Sequence, residues 1–186
     1  MDEQTLIGFE QISLESLGTF MLFGQVETNQ AYAACNFILK ANMLNHVDQL
    51  NFIINTEGGS VSDGFAIVDA IVHSRLPVHT TASGLLASMG LLIACAGNKG
   101  TRKITRNTEI MAHQFYGGME GKYHELVAIN KRNEMLAKKF ITYFKKHSTM
   151  NEKQIKDIVF AQSDRFLTAH ECKKYGLCDQ VVDYIY

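Results

Sequence analysis

Proline is almost missing from this sequence: of 186 residues, Pro77 alone lacks a backbone N–H. No stretch is rich in Gly and Ser, no segment repeats another, and no tract is of low complexity. Flexible and polyproline linkers need such composition. Residues 1–186 are therefore expected to form one domain, with a core large enough to fold without staples. Cysteine is scarce, and Cys35, Cys95, Cys172 and Cys178 form no C-x-x-C pair. Even with His170 added, that spacing fits no common zinc finger. Reduced thiols in a reducing compartment are expected, with Cys35 and Cys95, in apolar runs, serving as small core residues. The apolar runs fall well short of the ~18 residues of a membrane span, and no basic segment leads one into a cleavage site. No membrane association is expected, and a cytoplasmic or equivalent location is. Neither charge sign is in excess, with 18 Lys and Arg against 19 Asp and Glu, which argues against bulk nucleic-acid binding.

The charge is nonetheless unevenly placed. Residues 1–63 hold eight acids and one base, Lys40, whereas residues 122–157 hold nine bases and four acids. Two solvated faces of opposite sign account for this simply; a polar surface that orients copies of the chain against each other is the sharper alternative.

Strands and helices alternate in the hydrophobic pattern, which argues an α/β fold. Residues 20–24, 50–54, 78–81, 101–105, 109–113 and 180–185 read as strands. Helical spacing marks 30–44, 63–74 with Ser62 or Asp63 as N-cap, 89–96 as a buried helix, and a short helix at 151–160. The longest helix is expected at 123–147, where Leu126, Ile129, Asn133, Leu136, Phe140 and Phe144 make one apolar stripe among Lys and Arg.

Four segments bear chemistry, and each has a plain structural alternative. Asn55-Thr56-Glu57-Gly58-Gly59-Ser60 puts glycines after a strand; they bring amides close to a ligand or simply make a turn. Ser88, in Ala87-Ser88-Met89-Gly90, precedes an apolar helix. There a serine caps the helix, or serves as a nucleophile where free amides favour negative charge. It is not a G-x-S-x-G elbow, because Leu86 holds the first glycine position. His113 in Met111-Ala112-His113-Gln114 is either a satisfied structural histidine or a general base. Asp164 in Asp164-Arg165-Phe166-Leu167 either caps the turn at Ala169–Glu171 or orients an imidazole.

Taken together, in this order and at these separations, the segments resemble the Clp proteolytic-subunit (ClpP) family of serine peptidases, from about Phe20 to Tyr184. The resemblance implies a ClpP/crotonase-type spiral of ββα units with a protruding handle helix at 123–147. It implies Ser88 as nucleophile, His113 as general base and Asp164 as its partner, an oxyanion hole of the Gly59 and Met89 amides, and no metal or organic cofactor. Peptide would lie extended between Gly59-Ser60-Val61 and Phe115-Tyr116-Gly117. It further implies a homo-oligomer of heptameric rings, paired through the handles, that encloses the sites and takes peptides or unfolded protein from an AAA+ unfoldase. Three features depart from the family pattern. Thr56-Glu57 stands where Ser-Pro is usual, so the adjoining loop is expected to lose rigidity and gain a charge. Ser163 replaces an Arg used in ring-to-ring contacts. Only 19 residues precede Phe20, which suggests a reduced, acidic pore collar. The rival readings are a crotonase-like acyl-CoA enzyme, a non-catalytic or mixed-ring scaffold subunit, and a head-maturation or signal-peptide peptidase relative; the last of these uses a Lys base, which the His113 segment disfavours.

Overall fold

A computed structural model describes residues 13–115 and 120–185. Seven strands form one sheet: β1 (Thr19–Val26), β2 (Leu50–Gly59), β3 (Val78–Ala87), β4 (Arg102–Thr105), β5 (Glu109–Ala112), β6 (Arg165–Leu167) and β7 (Gln180–Val182). The main path runs β1-β2-β3-β4-β7, and β5 branches from β3 to pair with β6. All pairings are parallel except β5–β6. The crossover helices are α1 (Thr28–Leu44), α2 (Val61–Val72), α3 (Met89–Cys95), α4 (Tyr123–His147) and α5 (Ala169–Lys174). A 3-10 turn at Leu14–Leu17 precedes β1, and a turn at Glu152–Gln154 runs into a π-helical stretch, Ile155–Val159. This is the mixed α/β architecture expected, with α4 at its expected bounds.

The core lies where α1, α2 and α3 cover one face of the sheet. Phe20, Phe37 and Phe52 pack ring to ring at 5.2–5.8 Å, and every residue of α3 is buried. The other face is less covered. Burial along β2 alternates, and the outward Met21 and Phe23 of β1 are exposed. A largely parallel sheet normally has both faces covered.

Three strands outrun their sequence expectation, β1 continuing past residue 24 to Val26. β2 continues past residue 54 through Gly58-Gly59, so this segment is strand and not turn. Gln25 pairs with Gly58, Val26 pairs with Gly59, and the Ser60 amide donates to the Val26 carbonyl at 2.8 Å. β3 continues past Thr81 to Ala87. Each extension follows a bulge. Gly24 faces two residues of β2, and Ser83–Leu85 of β3 arch over Asn55, whose Oδ1 accepts from the Leu85 amide at 3.0 Å. Extra residues in a ladder hide the strand period in sequence. The cap of α2 is Ser60, whose hydroxyl accepts from the Asp63 amide; neither Ser62 nor Asp63 fills that role. The last strand stops at Val182, and β6 was not foreseen as a strand at all.

Cys95, Cys172 and Cys178 are buried as small core residues, while Cys35 is only half-buried. Burial pushes the Cys95 thiol up to about 12, so it stays protonated.

One ion pair ties the strand ends to the long helix. Arg102, with its side chain only 5% exposed, donates through Nε and Nη2 to Asp179 at 2.9 and 2.6 Å, and through Nη1 to the His147 carbonyl at 2.6 Å. Burial alone would raise the Asp179 carboxyl, but the Arg102 hydrogen bonds outweigh it and hold the group below the usual carboxylate range. Its contribution to stability is therefore full above the unfolded carboxylate pKa of about 3.9 and is lost as pH falls through the lower folded value. Asp179→Ala leaves the buried guanidinium without its partner. Urea denaturation at pH 7 is expected to show a loss of about 3 kcal/mol, shrinking as the pH is taken below 4.

Candidate active site

Ser88 stands between the end of β3 and the first residue of α3. Its backbone has φ 52° and ψ −120°, whereas the only other non-glycine residue at positive φ among the described residues, Asn45, sits in the ordinary left-handed region as the C-cap of α1. Such a conformation costs on the order of 1–3 kcal/mol and persists only where its surroundings enforce it. They do so here. Ala87 pairs with Met111, the Ser88 amide donates to the Met111 carbonyl at 3.0 Å, and the Leu91 amide closes on the Ser88 carbonyl at 3.1 Å. The Ser88 side chain makes no capping hydrogen bond to α3, so the capping alternative does not account for it. The strand–elbow–helix geometry is present without the glycine that the elbow motif would put at Leu86.

The sheet brings His113 and Asp164 to the same place. β3 pairs with β4 through Thr80–Ala82 and, after the bulge, with β5 through Leu85–Ala87. The change of neighbour sets the end of β5 beside the end of β3. His113 follows β5 directly, next to the strand that delivers Ser88. On its other side, Ala112 pairs with Arg165 of antiparallel β6, which brings Asp164 opposite His113. Neighbouring strands lie about 4.8 Å apart, and His113 Nδ1 is 3.7 Å from Asp164 Oδ1. That separation is longer than a hydrogen bond. The His113 side chain is 15% exposed, but Asp164 is 60% exposed, less enclosed than the buried partner an imidazolium calls for. Asp164 does not cap α5; Thr168 and Glu171 do so with a reciprocal capping box.

The glycines and α3 supply amides beside Ser88. A Cβ on Gly58 (φ 87°) would lie 2.7 Å from Ser88 Cβ, 2.8 Å from the Ala87 carbonyl and 2.9 Å from the Met89 nitrogen. A Cβ on Gly59 would instead strike the Val26 carbonyl of the neighbouring strand. The glycine whose bare backbone makes room at Ser88 is thus Gly58, and Gly59 is required by strand pairing. The Met89 amide opens α3, where the first N–H groups have no partner within the helix. Thr56, almost fully buried, donates its hydroxyl to the Gly24 carbonyl and accepts the Gly58 amide at 3.0 Å. The expected loss of rigidity at Thr56-Glu57 is therefore not found: strand pairing and this hydroxyl hold the segment, and Glu57 is exposed.

The other expected contact residues divide. Ser60 is the α2 cap and Val61 its first helical residue, so the extended stretch ends sooner than Gly59-Ser60-Val61 suggested. Phe115 turns inward onto Phe140 and Phe160 at 5.8 and 5.5 Å. Tyr116 and Gly117 lie outside the described residues. Asn55 and the Met111 carbonyl were given no role of their own, although they lie in the glycine and His113 segments already singled out; Thr56 was read only as a departure at the loop, not as the hydroxyl that holds it. Among the described residues, no cluster of three or more His, Cys, Asp or Glu is placed to hold a metal ion, and no helix is long and apolar enough to cross a membrane.

Residues 11–184 match the family model of the Clp protease. The chain belongs to the Clp protease family. This family is one of serine peptidases, and membership implies a peptide substrate and an oligomeric assembly.

The crowding at Gly58 has a measurable consequence. Gly58→Ala should cost at least about 2 kcal/mol in urea denaturation, through positive-φ strain and collision with fixed backbone. Gly100→Ala, at φ 93° with nothing within 4 Å, carries strain alone and should cost about 1 kcal/mol. Equal losses at the two positions would show that no such crowding exists.

Proposed function

We propose that the chain is a serine endopeptidase in which Ser88 attacks the peptide carbonyl, His113 takes its proton, and Asp164 stabilises the imidazolium. A serine hydroxyl is a weak nucleophile near pH 7 and needs a base at the moment of attack. His113 Nδ1 faces Asp164, and in this reading Nε2 receives the Ser88 proton and returns it to the leaving amine. The Met89 and Gly59 amides take the oxyanion; losing one such donor costs roughly 10²–10³ in turnover. Gly58 keeps that space open. Peptide pairs by its backbone beside the Gly59 end of β2 on one side and the segment that follows His113 on the other, so cleavage tolerates many sequences. The observation that carries this reading is the strained Ser88 backbone, uncapped by its own side chain and one strand away from His113.

The chain works as a self-compartmentalising ring, and hydrolysis itself uses no ATP; an AAA+ unfoldase supplies that energy when the substrate is folded. Two features support assembly. The outward face of β1 leaves Met21 and Phe23 uncovered. Along α4, Phe140, Tyr143 and Phe144 alone are buried, while Tyr123, Val127 and Met135 are exposed and Leu126, Ile129 and Leu136 are half-buried. The first four turns of this helix thus have apolar surface that its own core does not take up, and in the assembly a second copy covers it.

Two measurements test the reading. Ser88→Ala should abolish hydrolysis of a fluorogenic peptide and labelling by a fluorophosphonate while leaving native mass unchanged; a wild-type chain that assembles but never cleaves would instead establish a scaffold subunit. Val127→Glu with Met135→Glu should shift native mass to a smaller species by charging the handle contact, with little change in monomer stability because both positions are exposed. A native mass that does not move would remove the handle from the interface.

A further inference from the structure

The segment that carries Asp164 is fastened to the segment that carries His113 by three successive contacts. His113 faces Asp164 at 3.7 Å, the Gln114 amide donates to the Ala161 carbonyl at 2.9 Å, and the Phe115 ring meets the Phe160 ring at 5.5 Å and 62°. The β6 register, Ala112 with Arg165, would bring Gln114 opposite Ser163 and Phe115 opposite Gln162. The contacts actually fall two residues earlier, so the exposed pair Gln162-Ser163 is looped out between Asp164 and Ala161. Asp164 is therefore located from two sides, by β6 after it and by Phe160-Ala161 before it.

Phe160 is in turn fixed by what precedes it. Its amide closes a π-type turn on the Ile155 carbonyl at 2.8 Å. On an α-helix residues five apart point about 140° apart, whereas a five-residue bond brings them toward one side. The turn delivers the Phe160 ring onto Phe140 at 5.6 Å, near the buried end of α4, as well as onto Phe115. Phe140 also packs on Phe115 at 5.8 Å and Phe65 at 5.3 Å. We propose that Phe160 is a positioning residue: its ring, held between Phe115 and Phe140, sets where Asp164 stands relative to His113 and ties that spacing to the base of α4. The inference rests on the peptidase reading given above.

Two readouts test it, one of them independent of turnover. Phe160→Ala should lower kcat by about 10- to 100-fold, the scale of an ångström-size misplacement, with KM changed less than 2-fold. Phe160→Leu should restore most of the rate. In an Asp164→Asn background, Phe160→Ala should have almost no further effect, because residues acting through one another are not additive. Separately, the His113 ring ¹⁵N resonances should move in Phe160→Ala in the same sense as in Asp164→Asn. Full additivity with Asp164→Asn, or an unchanged kcat and unmoved His113 resonances in Phe160→Leu and Phe160→Ala, would overturn the proposal. A wild type that hydrolyses no peptide, yet whose His113 resonances respond to Phe160→Ala, would upset the peptidase reading and leave the positioning role supported. Should Phe160→Ala fail to fold, Phe160→Val, which also loses the ring contacts, decides the matter in both backgrounds by the same comparison.

Discussion

The pairing of β3 with β5 beyond its bulge is the constraint on which the rest of the site depends. A strand in an ordinary parallel sheet keeps one neighbour along each edge. β3 gives its first half to β4 and its last three residues to β5. Only because Ser83–Leu85 arch out, with the Asn55 amide oxygen accepting the Leu85 N–H, can the chain change partner without leaving a buried amide unmet. The change sets the C-terminal ends of two parallel strands side by side and opens onto them the antiparallel β6. Three segments that lie far apart in sequence thus end on successive strands, with β5 between β3 and β6 and one strand spacing from each to the next.

The same pairing upholds the strain at Ser88. A positive φ at a non-glycine residue is disfavoured, so something must over-determine it. The hydrogen bond that the Ser88 amide donates to the Met111 carbonyl fixes Ser88 from the N-terminal side, and the buried α3 fixes it from the C-terminal side. Gly58 fits against it without a side chain. The elbow is in this way a property of the sheet junction and the packed helix, which explains how Leu86 can stand where the usual motif has glycine. Leu86 is fully buried and contributes to the core instead.

What could be read from residues follows from what pattern encodes. The α4 bounds were legible because a 25-residue helix repeats its period many times. The four chemical segments were legible through resemblance, since each contains a residue type with a bland local role. The bulges were not, because an inserted residue breaks the period-two alternation by which a strand is recognised. β6 is three residues long with two of them exposed, too short to show any period. Ser60 was passed over as a cap in favour of Ser62 and Asp63, because the glycine pair beside it looked like a turn. Which of the two adjacent glycines must be bare beside Ser88 was not legible for a related reason: it depends on strand register, and a single sequence does not contain that.

The proposed triad leaves one physical question, how a carboxylate that is 60% exposed would orient an imidazole at 3.7 Å. An exposed pair at this distance contributes little, because solvent screens the charges and side-chain entropy opposes the geometry. Its effect grows as water is excluded, since the same charges interact more strongly in a medium of lower effective dielectric. Among the described residues, β6 on one side and Phe160-Ala161 on the other supply the backbone frame but leave Asp164 60% exposed. In the proposed assembly, a second copy would remove water where apolar surface is uncovered on α4 and β1. On the proposed reading, folding brings the three side chains to one sheet junction, and assembly would raise the strength of the interaction between two of them. Burial of Asp164 would then come from subunit contact, and the exposed pair Gln162-Ser163 beside it carries no charge whose desolvation would oppose that contact.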